Sequence, residues 1–347
     1  MKIAVLMGGT SAEREVSLAT GQGIFRALSA RGHNVVAIDT ATGRLIKAGA
    51  ASGEIAGHVG REPPGANALA RLGDKRSTPA LFELREVRET EVAFIALHGG
   101  AGENGQLQAV LDLAGVPYTG SGHLGSALAI DKLVSKDLFS HAGVPTPPWL
   151  VGSADASQVE SALGGFPVVV KPSQEGSTVG VSLVRTADEL EEAIREASRF
   201  EGLVLIEQFI PGRELAVGIL GNEALPVVEI IPTHEIYDYE CKYTAGQSEY
   251  KVPAELTPEE TEEAQMVALT AHRVLRLSAY SRIDLRMDAS GRAWCLEANS
   301  LPGMTETSLL PKAAAAAGIG FEELCERLVK MGLESKNAAG TRPCDRG

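Results

Sequence analysis

Twice within the first 121 residues an unbroken apolar run ends in glycines and is followed by a helical repeat. "KIAVLMGG" leads into "AEREVSLATGQGIFRALSARG", and "EVAFIALHGGAGENG" leads into "QLQAVLDLAG". A strand without polar alternation needs cover on both faces, and helices between such strands supply it. With "HNVVAID" and a short strand at "VPYTGS", residues 1–121 read as an open α/β domain with a mostly parallel sheet. The stretch 41–90 mixes glycine, proline and charge and shows no period.

Beyond residue 121 the pattern changes. "SALAIDKLVSKDLFSHAG" reads as one helix, and the three prolines of "VPTPPW" then mark a junction. "PVVVKPSQEGSTVGVSLV" is two strands around a polar loop, and "ADELEEAIREASRF" is an amphipathic helix. "LVLIEQFIPGRELAVGIL" gives two more strands with "IPGRE" as the turn. The long aromatic and charged stretch "HEIYDYECKYTAGQSEYKVPAEL" has no period, as expected of a lid or binding loop. "TPEETEEAQMVALTAHRVLRL" is a helix with Pro at its first position and acids in its first turn. "IDLRMDASGRAWCLEANS" is a hairpin about "DASG", and the closing "ESKNAAGTRPCDRG" reads as a disordered tail.

A net charge of −13 over 347 residues argues against nucleic acid or an anionic membrane as partner, although a local basic pocket remains compatible with it. No apolar run is long enough to cross a membrane, and "MKIAVLMGGT" reads as a first strand rather than a signal segment. The scattered cysteines Cys241, Cys295, Cys325 and Cys344 lack metal-site spacing, which points to a reducing, cytoplasmic setting without structural zinc.

Period-2 alternation puts Arg282 and Asp284 on one face of the first hairpin strand, and Glu297 and Asn299 on one face of the second. Closing the hairpin converges two carboxylates and an amide oxygen beside an arginine. Such donors suit a hard cation such as Mg²⁺; a solvated hairpin face is the other reading. Lys171 ends an apolar strand beside "EGSTVG", whose backbone N–H groups suit an anion. The order is not that of a Walker A loop, and a plain hairpin loop with a surface lysine fits as well. The glycines of "MGGTSAEREVS" open a helix, which makes an anion site, while Glu15 in the first turn also serves simply to complement the helix dipole. His98 in "HGGAGENG" reads as a donor or base, or as a satisfied loop histidine. Cys241 beside Lys242 reads as an inert thiol.

Taken in order, "EVSL" (15–18), "HGGAGENG" (98–105), "DKLVSK" (131–136), "VVVKPSQEGSTVGV" (168–181), "IEQFIPGRE" (206–214), "YDYECKY" (237–243), "SRIDLRMD" (281–288) and "LEANSLPGMTETSLLP" (296–311) resemble the D-alanine–D-alanine ligases of the ATP-grasp superfamily, over roughly residues 1–330. The resemblance implies a three-domain α/β fold: an N-terminal open parallel α/β domain (1–121), then central (122–214) and C-terminal (215–332) α+β lobes enclosing ATP, with 333–347 as the tail. It implies ATP as co-substrate, two Mg²⁺ ions (Mn²⁺ as a substitute), D-alanine as substrate and a homodimer. It also implies roles. Asp284, Glu297 and Asn299 hold metal, and Lys132, Lys171 and Lys242 hold phosphate. Glu207 and Glu214 take the adenine amino group and the ribose, and the backbone of Gln208, Phe209 and Ile210 reads the adenine edge. Glu15 binds the first D-alanine's ammonium, with Ser177 and Tyr243 as its hydrogen-bonding partners, and His98 lines that site. Ser308 and Leu309 bind the second substrate's carboxylate, and Arg282 and the Gly303 N–H face the tetrahedral oxyanion. Tyr243 favours an amine over a D-lactate acceptor. Asn104, where many relatives have Asp, and Gln208, where Lys is frequent, depart from the pattern.

Overall fold

The computed structural model describes residues 1–46, 84–176, 178–200, 202–232 and 248–340. The N-terminal sheet runs in the order β3-β2-β1-β4, with β1 (Lys2–Met7), β2 (Asn34–Asp39) and β4 (Val92–Ile95) parallel and β3 (Arg44–Ile46) antiparallel at the edge. Helix α1 (Arg14–Ala30) crosses over it, as an apolar strand buried on both faces requires. The strand expected at "VPYTGS" is a single bridge between Tyr118 and Ala93. Pro117 has no N–H to give a ladder, and Gly120 at φ 95° turns the chain away.

The helix expected over "SALAIDKLVSKDLFSHAG" is two helices, α2 (His123–Ile130) and α3 (Lys132–His141). Asp131 separates them: its backbone is extended, and its carboxylate accepts from Leu133 N at 3.1 Å and Val134 N at 3.2 Å. A short acid that caps a new N-terminus outcompetes continuation of the old helix.

The central lobe is an antiparallel sheet ordered β5-β8-β6-β7, formed by β5 (Trp149–Val151), β6 (Val168–Pro172), β7 (Ser182–Val184) and β8 (Val204–Gln208). Its own core joins Val168, Val170 and Ile206 to Val159, Leu163, Leu190 and Ala193 from the two helices that cover it. The two strands of "LVLIEQFIPGRELAVGIL" do not pair with each other: β8 ends in this sheet, and β9 (Arg213–Leu220) starts the next. "IPG" is therefore the crossing between lobes. Gly212 sits at φ 140°, and a Cβ there would collide with the Met287 carbonyl, so only glycine makes the passage.

The C-terminal sheet is ordered β12-β11-β9-β13-β14, from β11 (Val228–Pro232), β12 (Ser248–Lys251), β13 (Tyr280–Met287) and β14 (Ala293–Asn299), with the short β10 (Glu223–Ala224) also on β9. One face packs on α4 (Pro258–Val274) through Val217, Ile283, Leu285, Ala268 and Ala271. Residues of the other face, including Ala216, share one core with the N-terminal sheet and with α5 (Leu309–Ala316) and α6 (Phe321–Gly340). Helix α6 runs through Gly332 to Gly340, eight residues into the stretch expected as a disordered tail: no breaker stands between Leu333 and Gly340, and Leu324, Leu328 and Val329 join Ile24 and Leu28 in one core.

The expected hairpin is β13–β14. Asp288 ties its turn, accepting from Ser290 N, Ser290 Oγ and Arg292 N with one oxygen and from Trp294 Nε1 at 2.8 Å with the other. Led by the Ser290 hydroxyl, these bonds lower its carboxyl to about 2.

Because Asp131 alone restarts the helix that begins at Lys132, Asp131→Ala is expected to cost about 1 kcal/mol of stability in urea unfolding, and Asp131→Asn, which keeps an acceptor, less than about half of that.

Candidate functional site

The hairpin is the wall shared by two cavities. Its register places Asp284 opposite Glu297 and Arg282 opposite Asn299, with an irregularity just after Asp284. All four side chains are partly buried, and Arg282, Asp284 and Asn299 engage one another. Arg282 donates to both oxygens of Asp284 (2.7 and 2.8 Å), and Asn299 Nδ2 donates to Asp284 Oδ2 at 3.1 Å.

The first cavity lies between the central and C-terminal lobes. Asp284, Arg286, Leu296 and Glu297 form its floor, and Val169, Lys171 and the loop after β6 form its roof. Residues 207–210 and Glu214 close the back. Val169, Val179, Val181, Phe209, Ile210 and Leu296 give it apolar sides, which suit a flat ring system, and Lys132, Lys171 and Arg286 bring cations to the same cavity. Lys132, from the first turn of α3, donates to the Glu175 carbonyl at 2.6 Å and stands 3.2 Å from Glu297 Oε2. Lys171 donates to Glu207 Oε1 at 2.5 Å. Arg286 lies over the Phe209 ring at 4.9 Å and 3.4 Å from Glu214. In the roof loop the β-branched Thr178 is held at φ 62°, a conformation that few side chains adopt unforced.

The second cavity, of about 260 Å³, opens where the N-terminal domain meets the C-terminal lobe. Glu13, Val16 and Ala19 line it from α1 and the residue before it, His98 and Glu103 from the loop after β4, and Tyr250 from β12. Arg282, Asn299, Gly303, Ser308 and Leu309 complete the wall. Ser308 precedes the first turn of α5, so the positive end of that helix lies at the cavity. Thr305 N donates to Ser308 Oγ at 3.2 Å, and Gly303 packs so closely that a Cβ would stand 2.9 Å from that oxygen.

His98 is buried, with Nε2 3.0 Å from Thr20 Oγ1 and Nδ1 donating to the Leu301 carbonyl at 3.1 Å. Burial pushes its pKa down, but the Glu103 carboxylate, 3.9 Å away, and Glu13 outweigh that and hold it above the ordinary value. Glu103 itself is raised, chiefly by burial.

The structure brings Lys132, Lys171, Glu207, Gln208, Phe209, Ile210, Glu214, Asp284 and Glu297 to the first cavity. His98, Arg282, Asn299, Gly303, Ser308 and Leu309 come to the second. Glu15 is a correction. It does not line either cavity, and the carboxylate that does is Glu13. Helical spacing explains this: Glu13, Val16 and Thr20 share a face at i, i+3 and i+7, from which Glu15 is turned away. The same spacing was available in "EREVSLAT". Glu103 and Tyr250 also line the site without having been singled out; Glu103 left a signal in the loop "HGGAGENG", whereas Tyr250 had none. Asn104 caps the following helical turn by accepting from Gln106 N, a local task that an amide performs as well as an acid. Ser177, Lys242 and Tyr243 lie outside the described residues, as does Cys241.

Family models described as "D-ala D-ala ligase N-terminus" and "D-ala D-ala ligase C-terminus" match residues 2–121 and 138–330. The chain is 44% identical to a D-alanine–D-alanine ligase of Geobacter sulfurreducens over 330 residues, covering 94% of this chain and 93% of that one. It is 42% identical to a ligase of the same name from Halalkalibacterium halodurans, covering 96% and 100%. Among solved structures, the Bacillus anthracis D-alanine–D-alanine ligase complexed with ATP superposes with a TM-score of 0.77 at 30% identity, covering 98% and 99% of the two chains.

The His98 ring is expected to titrate above its ordinary value in the intact protein, followed by NMR, and lower than that raised position in Glu103→Gln, where burial acts with less opposition. Its contribution to stability is then complete below the ordinary value and lost as pH rises through the raised one.

Proposed function

The chain belongs to the D-alanine–D-alanine ligase family, and we propose how its own residues divide that family's reaction among them. It is an ATP-dependent ligase that joins two D-alanines into the dipeptide for peptidoglycan precursor synthesis. The observation that carries the assignment of roles is that Lys132 and Lys171, from separate elements, line the same cleft as Asp284 and Glu297.

A D-alanine carboxylate oxygen attacks the γ-phosphorus of ATP, the bond to the bridging oxygen breaks, and ADP leaves an acyl phosphate. Two unit negative charges about 4 Å apart repel by about 4 kcal/mol at an effective dielectric near 20, so the attack needs cations at the phosphates. Lys132 and Lys171 line the cleft and supply charge for this task. The apolar sides take the adenine, Glu207 accepts from its amino group, and Glu214 takes the ribose hydroxyls. Asp284 and Glu297, opposite each other on the hairpin, and Asn299 two residues beyond Glu297 are hard oxygen donors that would hold Mg²⁺ (two ions, with Mn²⁺ as a substitute). A cation held there neutralises phosphate oxygens.

The second cavity holds the amino acids. Glu13 takes the first D-alanine's ammonium, and His98 lines the same site, its ring held by Thr20 and the Leu301 carbonyl. The amine of the second D-alanine then adds to the acyl carbon. Arg282 and the Gly303 N–H face the tetrahedral oxyanion, which collapses with loss of phosphate and of the amine's proton. Ser308, Leu309 and the helix end behind them hold the second carboxylate. Arg282 suits a role between the two steps because it lines the amino-acid cavity while paired to Asp284 of the nucleotide cleft. Ser177, Lys242 and Tyr243 complete the lid by family resemblance, and Tyr243 favours an amine acceptor. With ATP as co-substrate, the reading includes a cytoplasmic enzyme, homodimeric as its family is.

In an assay of phosphate release with ATP, Mg²⁺ and D-alanine, Glu297→Ala is expected to abolish turnover with an unchanged far-UV spectrum; normal turnover at limiting Mg²⁺ contradicts the metal assignment. Glu13→Gln is expected to raise the KM of the first D-alanine by about tenfold or more, the loss of a charge-assisted bond, while Glu15→Gln stays near the parent enzyme. The reverse order returns the role to Glu15.

A further inference from the structure

Behind the nucleotide cleft lies a lysine to which the reaction just described gives no task. Lys136, in the second turn of α3, is completely buried. Its ammonium donates to Glu207 Oε2 at 3.0 Å and to Thr146 Oγ1 at 2.7 Å, and stands 5.0 Å from the centre of the Trp149 ring. It does not line the cleft, whereas Glu207 and Lys171 do. Glu207 is thus held from two sides: Lys171 in front on Oε1 and Lys136 behind on Oε2.

The two lysines are not equivalent once nucleotide binds. Lys171 borders the cavity and is the group expected at the phosphates, so its ammonium must be shared with or surrendered to them. Lys136 has nowhere else to go. With only Lys171 available, a buried Glu207 would be left without a counter-charge at the moment of binding, and would either retain Lys171 or take up a proton. With Lys136 in place, the carboxylate stays ionised after Lys171 turns away, and the oxygen that Lys171 vacates becomes a pure acceptor beside the base.

Resting on the nucleotide reading above, we infer that Lys136 is a positioning residue: it keeps Glu207 a charged acceptor, which frees Lys171 for the phosphates and makes the cleft select a purine that carries an amino group over one that carries an oxygen at the same position. A carboxylate accepts from the 6-amino group of ATP and repels the 6-oxo group of ITP. A protonated Glu207 would donate to that oxygen and lose the distinction. The charges around Glu207 agree. Burial pushes its carboxyl up, but Lys136 first and Lys171 next bring it below the ordinary value. From the hairpin side the nearby titratable groups are the Cys295 thiol, kept neutral by burial, with Asp284 and Glu297 beyond it.

The test measures KM and kcat for ATP and for ITP, and KM for D-alanine, in the parent enzyme, in Lys136→Met and in Thr146→Val, from about pH 6 to about pH 9. ATP-dependent dipeptide formation by the parent enzyme secures the nucleotide reading; its absence defeats that reading and the inference with it. In Lys136→Met the preference for ATP over ITP in kcat/KM is expected to fall at least about tenfold and to recover as pH rises and Glu207 ionises, while KM for D-alanine stays unchanged. In the parent enzyme the preference is flat with pH. Thr146→Val, which strips Lys136 of one acceptor, is expected to shift the same ratio in the same direction by about threefold, and it decides the matter if Lys136→Met does not fold. A folded Lys136→Met, or failing that Thr146→Val, with the parent's ratio at every pH overturns the inference. So does a fall in the ratio that does not change with pH, since that is the mark of mere loss of packing.

Discussion

Two carboxylates directly opposite each other on paired antiparallel strands repel, and a sheet carries such a pair only if cations are kept beside it. Asp284 and Glu297 are that pair, and much of the site follows from meeting their demand. Arg282, on the same strand face as Asp284, closes on one carboxylate, and Lys132 reaches the other from a different domain's helix. The arrangement draws three parts of the chain to one line: the hairpin, the restarted helix at Asp131, and the roof loop whose Glu175 carbonyl shares Lys132. A site able to hold phosphate and metal together is the electrostatic complement of this arrangement, with anionic ligand oxygens and cations in place of some of the protein's own contacts.

The same logic recurs one layer deeper. Glu207 is buried and would be untenable alone; it is flanked by Lys136 and Lys171. In the amino-acid cavity, His98 and Glu103 repeat it with a titratable cation. Glu297 and Glu207 take their bases from other elements, so at these two acids assembly of the lobes and assembly of the charge pairs are one event. The chain's negative net charge therefore says nothing against an anionic substrate, since the relevant cations are local.

Much of this was legible in the residues. Strict alternation in "SRIDLRMD" and "LEANS" fixed which side chains share a face, and the register bears that reading out at Arg282, Asp284, Glu297 and Asn299. Apolar runs followed by glycine and a helical repeat marked the parallel sheet. What was illegible has physical causes. A helical period continues through "AIDKLV", so the break at Asp131 is visible only to someone weighing the acid as a cap rather than as a surface residue. "IPGRE" has every mark of a hairpin turn, and only the strand pairing shows that the strands on either side belong to different sheets. Glu15 stands inside the recognisable "EVSL" and Glu13 just before it; helix phase, rather than motif membership, decides which acid faces the cavity. Nothing local to Tyr250 announces a role, because its place depends on a strand pairing far away in sequence.

The central lobe closes its hydrophobic interior on itself, whereas the N-terminal sheet and the C-terminal lobe are fused through a common one. That asymmetry makes the protein modular in one place only. Residues 149–208 can be exchanged for the matching segment of a relative without reopening anyone else's packing, so long as the glycine at the crossing is kept. Such a transplant would carry the cover of the nucleotide cleft from one enzyme to another, and with it Gly176, through which that lobe also borders the amino-acid cavity. In this architecture, fuel handling is a separable inheritance, and a small part of substrate choice travels with it.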